Sequence, residues 1–173
     1  AAAAGRICGF DNPAVPITWK NIVGLSFDRT FSEADMNTMA GSTGGVAVFK
    51  YRGRDIICRH AMTTDDTNAN TQEISVVEIE DYIKRQCIAV LETRYVGTLI
   101  VAGLEQSMSA TVASMLEQSI RKQTIADYDG GSISVKQSDL DPRIINIYFR
   151  VKPAYPLNWI DVTFKFYAGS QVQ

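Results

Sequence analysis

Between Ile74 and Leu91, the apolar residues of "ISVVEIEDYIKRQCIAVL" return every three to four positions. Val76, Ile79, Ile83, Cys87, Val90 and Leu91 fall on one face of a helix with that period. A stripe this long must be buried against something, so the chain has to supply a covering layer. Ser75 and Glu78 form an S-x-x-E capping box, and Ile74 and Ile79 are spaced to close a hydrophobic staple around it. The helix is therefore expected to start near residue 76 and to run to about 95. Glu80–Lys84 and Asp81–Arg85 are i,i+4 pairs on its wet side, each contributing about 0.2–0.5 kcal/mol.

The covering layer is predicted further along the chain. After the Gly97–Gly103 region, "SATVASMLEQSIRKQT" puts Val112, Met115, Leu116 and Ile120 together on a second helix. Arg121 and Lys122 suit its negative C-terminal end, and "YDGG" at 128–131 is expected to end the segment. Three strands should follow. Ile133 and Val135 alternate first, then Ile145, Ile147, Phe149 and Val151 line one face of "RIINIYFRV". Ile160, Val162, Phe164 and Phe166 line one face of "NWIDVTFKFY", and "KPAYP" makes a stiff, extended corner before it. Upstream, Ser32 offers an N-cap to "EADMNTMA", with Asp35 in capping-box position, and "GSTGG" at 41–45 stops that helix. Val46–Tyr51 and Asp55–Arg59 read as a hairpin turning at Arg52–Gly53. The class is α+β: a mixed or antiparallel sheet covered by two main helices, in a single domain over 1–173.

Composition excludes several functions. The 173 residues are enough for one domain with a core, and the composition is that of a soluble globular protein. A formal charge of −2 argues against a dedicated nucleic-acid binder. No apolar run is long enough to span a bilayer, so no direct membrane insertion is expected. The opening "AAAAGRICGF" lacks the basic start and apolar core of a signal peptide, and it reads as part of a helix. A chain that opens on four alanines is expected to be a fragment or a processed product. Cys8, Cys58 and Cys87 are odd in number without C-x-x-C spacing, which suits buried apolar thiols in a reducing compartment.

The polar stretch "TTDDTNANTQE" at 63–73 invites a test as a metal loop. Asp66, Asn68 and Asn70 match the first three ligand positions of a calcium loop, but Thr71 replaces the glycine and Val77 the closing glutamate. The same residues are good turn and capping residues. Cys58 and His60 share a strand face as a possible nucleophile pair or two-ligand set, yet no third partner stands at suggestive spacing. No glycine-rich stretch is followed by Lys and Ser or Thr, so there is no phosphate loop. No catalytic constellation, cofactor or metal site is expected. The competing readings are a small metal- or partner-binding domain and a structural part.

Two stretches carry a resemblance. "VFKYRGRDIICRHAMTTDDTNANTQEISVVEIEDYIKRQC" resembles the segment of contractile tail sheath proteins in which a hairpin leads into an arginine-bearing strand, a Thr-Thr-Asp turn and a helix. Arg59, Thr63, Thr64 and Asp65 carry that match. "SDLDPRIINIYFRVKPAYPLNWIDVTFKFY" resembles the family's C-terminal sheet, and "DNPAVPITWKNIVGL" its lead-in. Sheath subunits of this family are longer, so the resemblance implies the C-terminal, tube-proximal part of a larger subunit.

The resemblance implies a mechanical part of a bacteriophage tail. Copies would assemble helically around an inner tail tube, with baseplate and tail terminator proteins as further partners. Contraction would drive the tube through a target envelope and eject the genome. Bacteriocin and secretion-type contractile injection systems are the alternatives within that class. The expected location is the virion, assembled in the host bacterial cytoplasm. Asp161, Val162, Thr163, Phe164, Lys165, Phe166 and Tyr167 would form a strand that pairs with a neighbouring subunit, 160–173 being the C-terminal arm. An ordinary strand of the chain's own sheet is the other reading of that segment. Arg121 and Lys122 would face an acidic tube, or else only complement the helix dipole. Thr64 and Asp65 would meet a neighbour in the lattice, or else lie in a solvated loop.

Overall fold

The computed structural model describes residues 2–26, 30–41, 48–65, 67–158 and 160–166. Helix α1 (Ala2–Cys8) and helix α2 (Glu33–Gly41) precede a hairpin of β1 (Val48–Arg52) and β2 (Asp55–His60). A short α3 (Ala69–Gln72) leads into α4 (Ile74–Tyr95) and α5 (Leu104–Arg121), and β3 (Ile125–Gln137) pairs with β4 (Ile145–Pro153). The α+β class and antiparallel pairing are as expected. The strands form two separate two-stranded ribbons, β1–β2 and β3–β4. Single bridges, Thr18 to Cys58 and Asn21 to Ile57, attach the extended lead-in to β2.

Of the expected helical face on α4, Val76, Ile79, Ile83, Cys87 and Leu91 are buried, and Val90 is half-buried. Ile79, Ile83, Cys87 and Leu91 meet Met108, Val112, Met115 and Leu116 of α5 and Ile125 and Val135 of β3. Along β4 every second residue is turned inward, so Ile145, Ile147, Phe149 and Val151 pack against this core while Asn146, Tyr148, Arg150 and Lys152 face out. A smaller core joins Ile17, Cys58 and Ala61 with flanking Ile7, Phe10, Phe49 and Ile74.

Local signals were sometimes overruled by tertiary pairing. Ser75 does not cap α4: the helix already includes Ile74, Glu73 is the N-cap, and the Ser75 hydroxyl is buried without a partner. The start is set instead by Ile74 N–H donating to Ala61 O at 3.3 Å and by the Met62–Glu73 bridge. At α2 the box does close, with Asp35 N–H donating to Ser32 Oγ and Ser32 N–H to the Asp35 carboxylate, both at 3.1 Å. The hairpin turns one residue later than expected, at Gly53–Arg54, where Gly53 takes φ +64° without a side-chain clash. Val46 and Ala47 lie outside the described residues.

The stop assigned to "YDGG" is a correction. Helix α5 ends at Arg121, Gln123 takes φ 56°, and β3 begins at Ile125 and runs straight through Tyr128–Gly131. The register against β4 shifts between Asp129 and Ser134, so the glycines sit in a bulge. Asp129 Oδ1 accepts from Gly131 N–H at 3.0 Å and stabilises that bulge.

Candidate functional site

Residues 160–166 follow β4 but join neither ribbon. Ile160, Val162, Phe164 and Phe166 are 76%, 73%, 73% and 94% exposed. In a strand, alternation would put these four on one side and Asp161, Thr163 and Lys165 on the other. Phe164 and Phe166 touch edge to face, with ring centroids 5.4 Å apart. Tyr167 and residues 168–173 lie outside the described residues. The expected last strand therefore has its alternation but, among the described residues, no pairing partner.

Among the described residues the ribbon β3–β4 has only two strands, so each has one backbone edge unpaired there. Beside β4 a groove of about 420 Å³ runs along α4. Val76, Ile79 and Ile83 line one wall, and Ile147, Phe149 and Val151 line the other. An apolar groove beside an open strand edge suits an extended partner, whose main chain pairs while alternate side chains enter the groove.

The polar stretch is bonded to itself. Thr63 Oγ1 donates to Thr71 O at 2.5 Å, and Thr63 N–H donates to Gln72 O at 2.8 Å. Asp65 Oδ1 accepts from Thr67 N–H at 3.0 Å and from the Thr67 hydroxyl at 2.7 Å. These Thr67 bonds hold the Asp65 carboxyl below the usual carboxylate range. Asn68 Oδ1 caps α3 through Asn70 N–H and Thr71 N–H. Asn68 thus uses its oxygen as a cap, and Asp66 lies outside the described residues. No group of three or more His, Cys, Asp or Glu side chains among the described residues is placed to hold a metal. Thr64 is exposed.

Cys58 and His60 do not work as a pair. The Cys58 side chain is fully buried, and burial, with the nearby Glu73 charge, pushes its thiol up to about 12. His60 Nε2 instead faces Glu73 Oε1 at 2.5 Å. Sequence reasoning missed Glu73 because it sits between two helical turns, where an acid normally signals only a cap. Cys87 is buried as expected, whereas Cys8 is exposed. A thiol reagent at neutral pH is expected to modify one cysteine, Cys8, within minutes in the native chain and three after denaturation. Rapid native labelling of Cys58 would contradict its placement in the core.

Arg121 ends α5 and Lys122 is its C-cap, both exposed. The Lys122 carbonyl accepts from Asn12 Nδ2 at 3.0 Å, so this helix end is tied to the lead-in. No described helix is long and apolar enough to cross a membrane.

No family model matches the chain. A tail sheath protein of Mycobacterium phage Bxz1 is 26% identical over 153 residues, which is 87% of this chain and 26% of that protein. The anti-feeding prophage baseplate structure contains a chain with TM-score 0.76 at 13% identity, covering 93% of this chain and 47% of its own. The anti-feeding prophage helical sheath in its contracted state gives TM-score 0.73 at 14% identity over the same shares. The sheath tail protein of Desulfitobacterium hafniense gives 0.63 at 14% identity, covering 82% of this chain and 34% of its own. The chain thus spans about a quarter of the phage relative and at most about half of the solved chains. Its likeness to tail sheath proteins extends from sequence to fold.

Proposed function

We propose that this domain is a structural, non-catalytic part of a contractile tail sheath, and that 160–166 is the strand by which one copy joins the next. The observation that carries the reading is the C-terminal segment: a run with alternating apolar residues, exposed and paired with no strand among the described residues. At about 3.3 Å per residue, seven residues span roughly 23 Å, which fits along the nine-residue β4. The acceptor is the open edge of β4 beside the α4 groove. Main-chain hydrogen bonds supply affinity, and Ile160, Val162, Phe164 and Phe166 set the register.

A donor strand at one end and an acceptor edge elsewhere on the same subunit make a head-to-tail contact. Such contacts close into rings or run on as helical filaments, and stacked copies build a helical array. A strand connection also lets bodies rotate against one another while the lattice stays joined, as contraction requires. The partners are other copies of the chain, an inner tail tube, and baseplate and terminator proteins. The particle is a phage tail, and the subunit resides in the virion after assembly in the host cytoplasm. Arg121 and Lys122 lie at an exposed helix end and are the proposed contacts with an acidic tube. For Thr64 and Asp65 the bonds within the polar loop favour a self-supporting loop over a lattice contact.

The test is assembly of the full-length subunit to which this chain belongs. Negative-stain micrographs are expected to show stacked rings or tubes of one diameter. A subunit that stays monomeric at high concentration, alone and with its tube protein, would sink the reading.

A further inference from the structure

The polar loop and the segment after β4 are joined side chain to side chain. Tyr155 Oη donates to Asn70 Oδ1. Asn158 Nδ2 donates to Glu73 Oε1 at 2.6 Å. The same carboxylate oxygen lies 2.5 Å from His60 Nε2, which makes that ring nitrogen a donor. Asn158 Nδ2, 3.2 Å from the same nitrogen, therefore bonds to the carboxylate and not to the ring.

Four pieces of chain meet here: the end of β2, α3, the N-cap of α4 and the stretch between β4 and residue 160. That last stretch, 154–158, belongs to no helix or ribbon, so its own backbone does not fix it. Glu73 and His60 side chains are only 11% and 12% exposed. A carboxylate so far from water needs donors, and Glu73 Oε2 has none. His60 and Asn158 on Oε1 are what offset its burial, so withdrawing Asn158 is costly.

We infer that the polar loop is an intramolecular docking site for the root of the C-terminal segment. Asn70 holds Tyr155, the His60–Glu73 pair holds Asn158, and together they fix where 160–166 leaves the domain. This accounts for polarity that capping alone leaves unexplained, since neither Glu73 nor Asn70 Oδ1 serves as a side-chain cap of a helix. A strand anchored at its root samples fewer directions, which lowers the ordering cost when it meets a partner. The clamp is a property of the single chain. Its use in aiming the strand at a neighbour rests on the sheath reading above.

The experiment is ¹⁵N relaxation on the 173-residue chain, so it stays valid whether or not sheaths form. In the wild type, the amides of Tyr155, Leu157 and Asn158 are expected near rigid-backbone order parameters of about 0.85. In the double variant Tyr155→Phe/Asn158→Ala they fall below about 0.6. Val112 and Leu116 in α5 keep their values in both. Unchanged order at the root in the variant overturns the inference, as does a root already flexible in the wild type. Loss of order in α5 as well overturns it too, because the contacts would then hold the core and not the segment.

Discussion

Leu116→Ala is expected to lower the unfolding free energy by about 2–5 kcal/mol. Leu116 is fully buried where α5 meets α4 and β3. Truncation removes its transfer free energy and leaves a cavity that two helices and a ribbon collapse into only partly. For a chain of this size the melting temperature should fall by roughly 5–20 °C. Ile88 of α4 is 55% exposed, and Ile88→Ala should stay within about 0.5 kcal/mol. Urea or thermal unfolding followed by circular dichroism reads both. Equal effects for the two would mean that α4 and α5 do not pack through the faces described. Because the core contains neither the C-terminal segment nor the polar loop, this variant tests the scaffold independently of any assembly.

What could be read from the sequence depended on how local the cause was. The buried face of α4 and the alternation of β4 were legible, since helix and strand periods are set within a few residues. Ser75 was misassigned as a cap because Ile74 bonds to Ala61, a contact that no local pattern reports. "YDGG" looked like a stop because glycines usually end elements. Here a long partner strand absorbs them as a bulge, and β4 lies beyond a turn at 138–144. The alternation of 160–166 was visible, but whether its partner lay inside the chain was not. His60, Glu73 and Asn158 were invisible as a group, since 85 and 98 positions separate the last from the other two.

Phe164→Asp in the full-length subunit is expected to raise the concentration needed for assembly by about tenfold to a hundredfold. Burying one such side chain is worth about 1.5–3 kcal/mol, and each 1.4 kcal/mol is a factor of ten. A carboxylate placed in the α4–β4 groove without a donor adds a desolvation cost in the same direction. Thr163→Asp is expected to change assembly by less than about threefold, because that residue falls on the opposite side of the segment. Deleting 160–173 should abolish tubes altogether, since it removes the main-chain ladder along with the side chains. None of these changes should shift the melting temperature of the isolated chain by more than about 1–2 °C, since Phe164 is 73% exposed there. Sedimentation and negative-stain micrographs give the readout. Tubes that persist after the deletion would remove strand donation as the link between copies. Equal losses from Phe164→Asp and Thr163→Asp would keep the segment at an interface but discard the groove as its seat, because only one side of a strand can enter it.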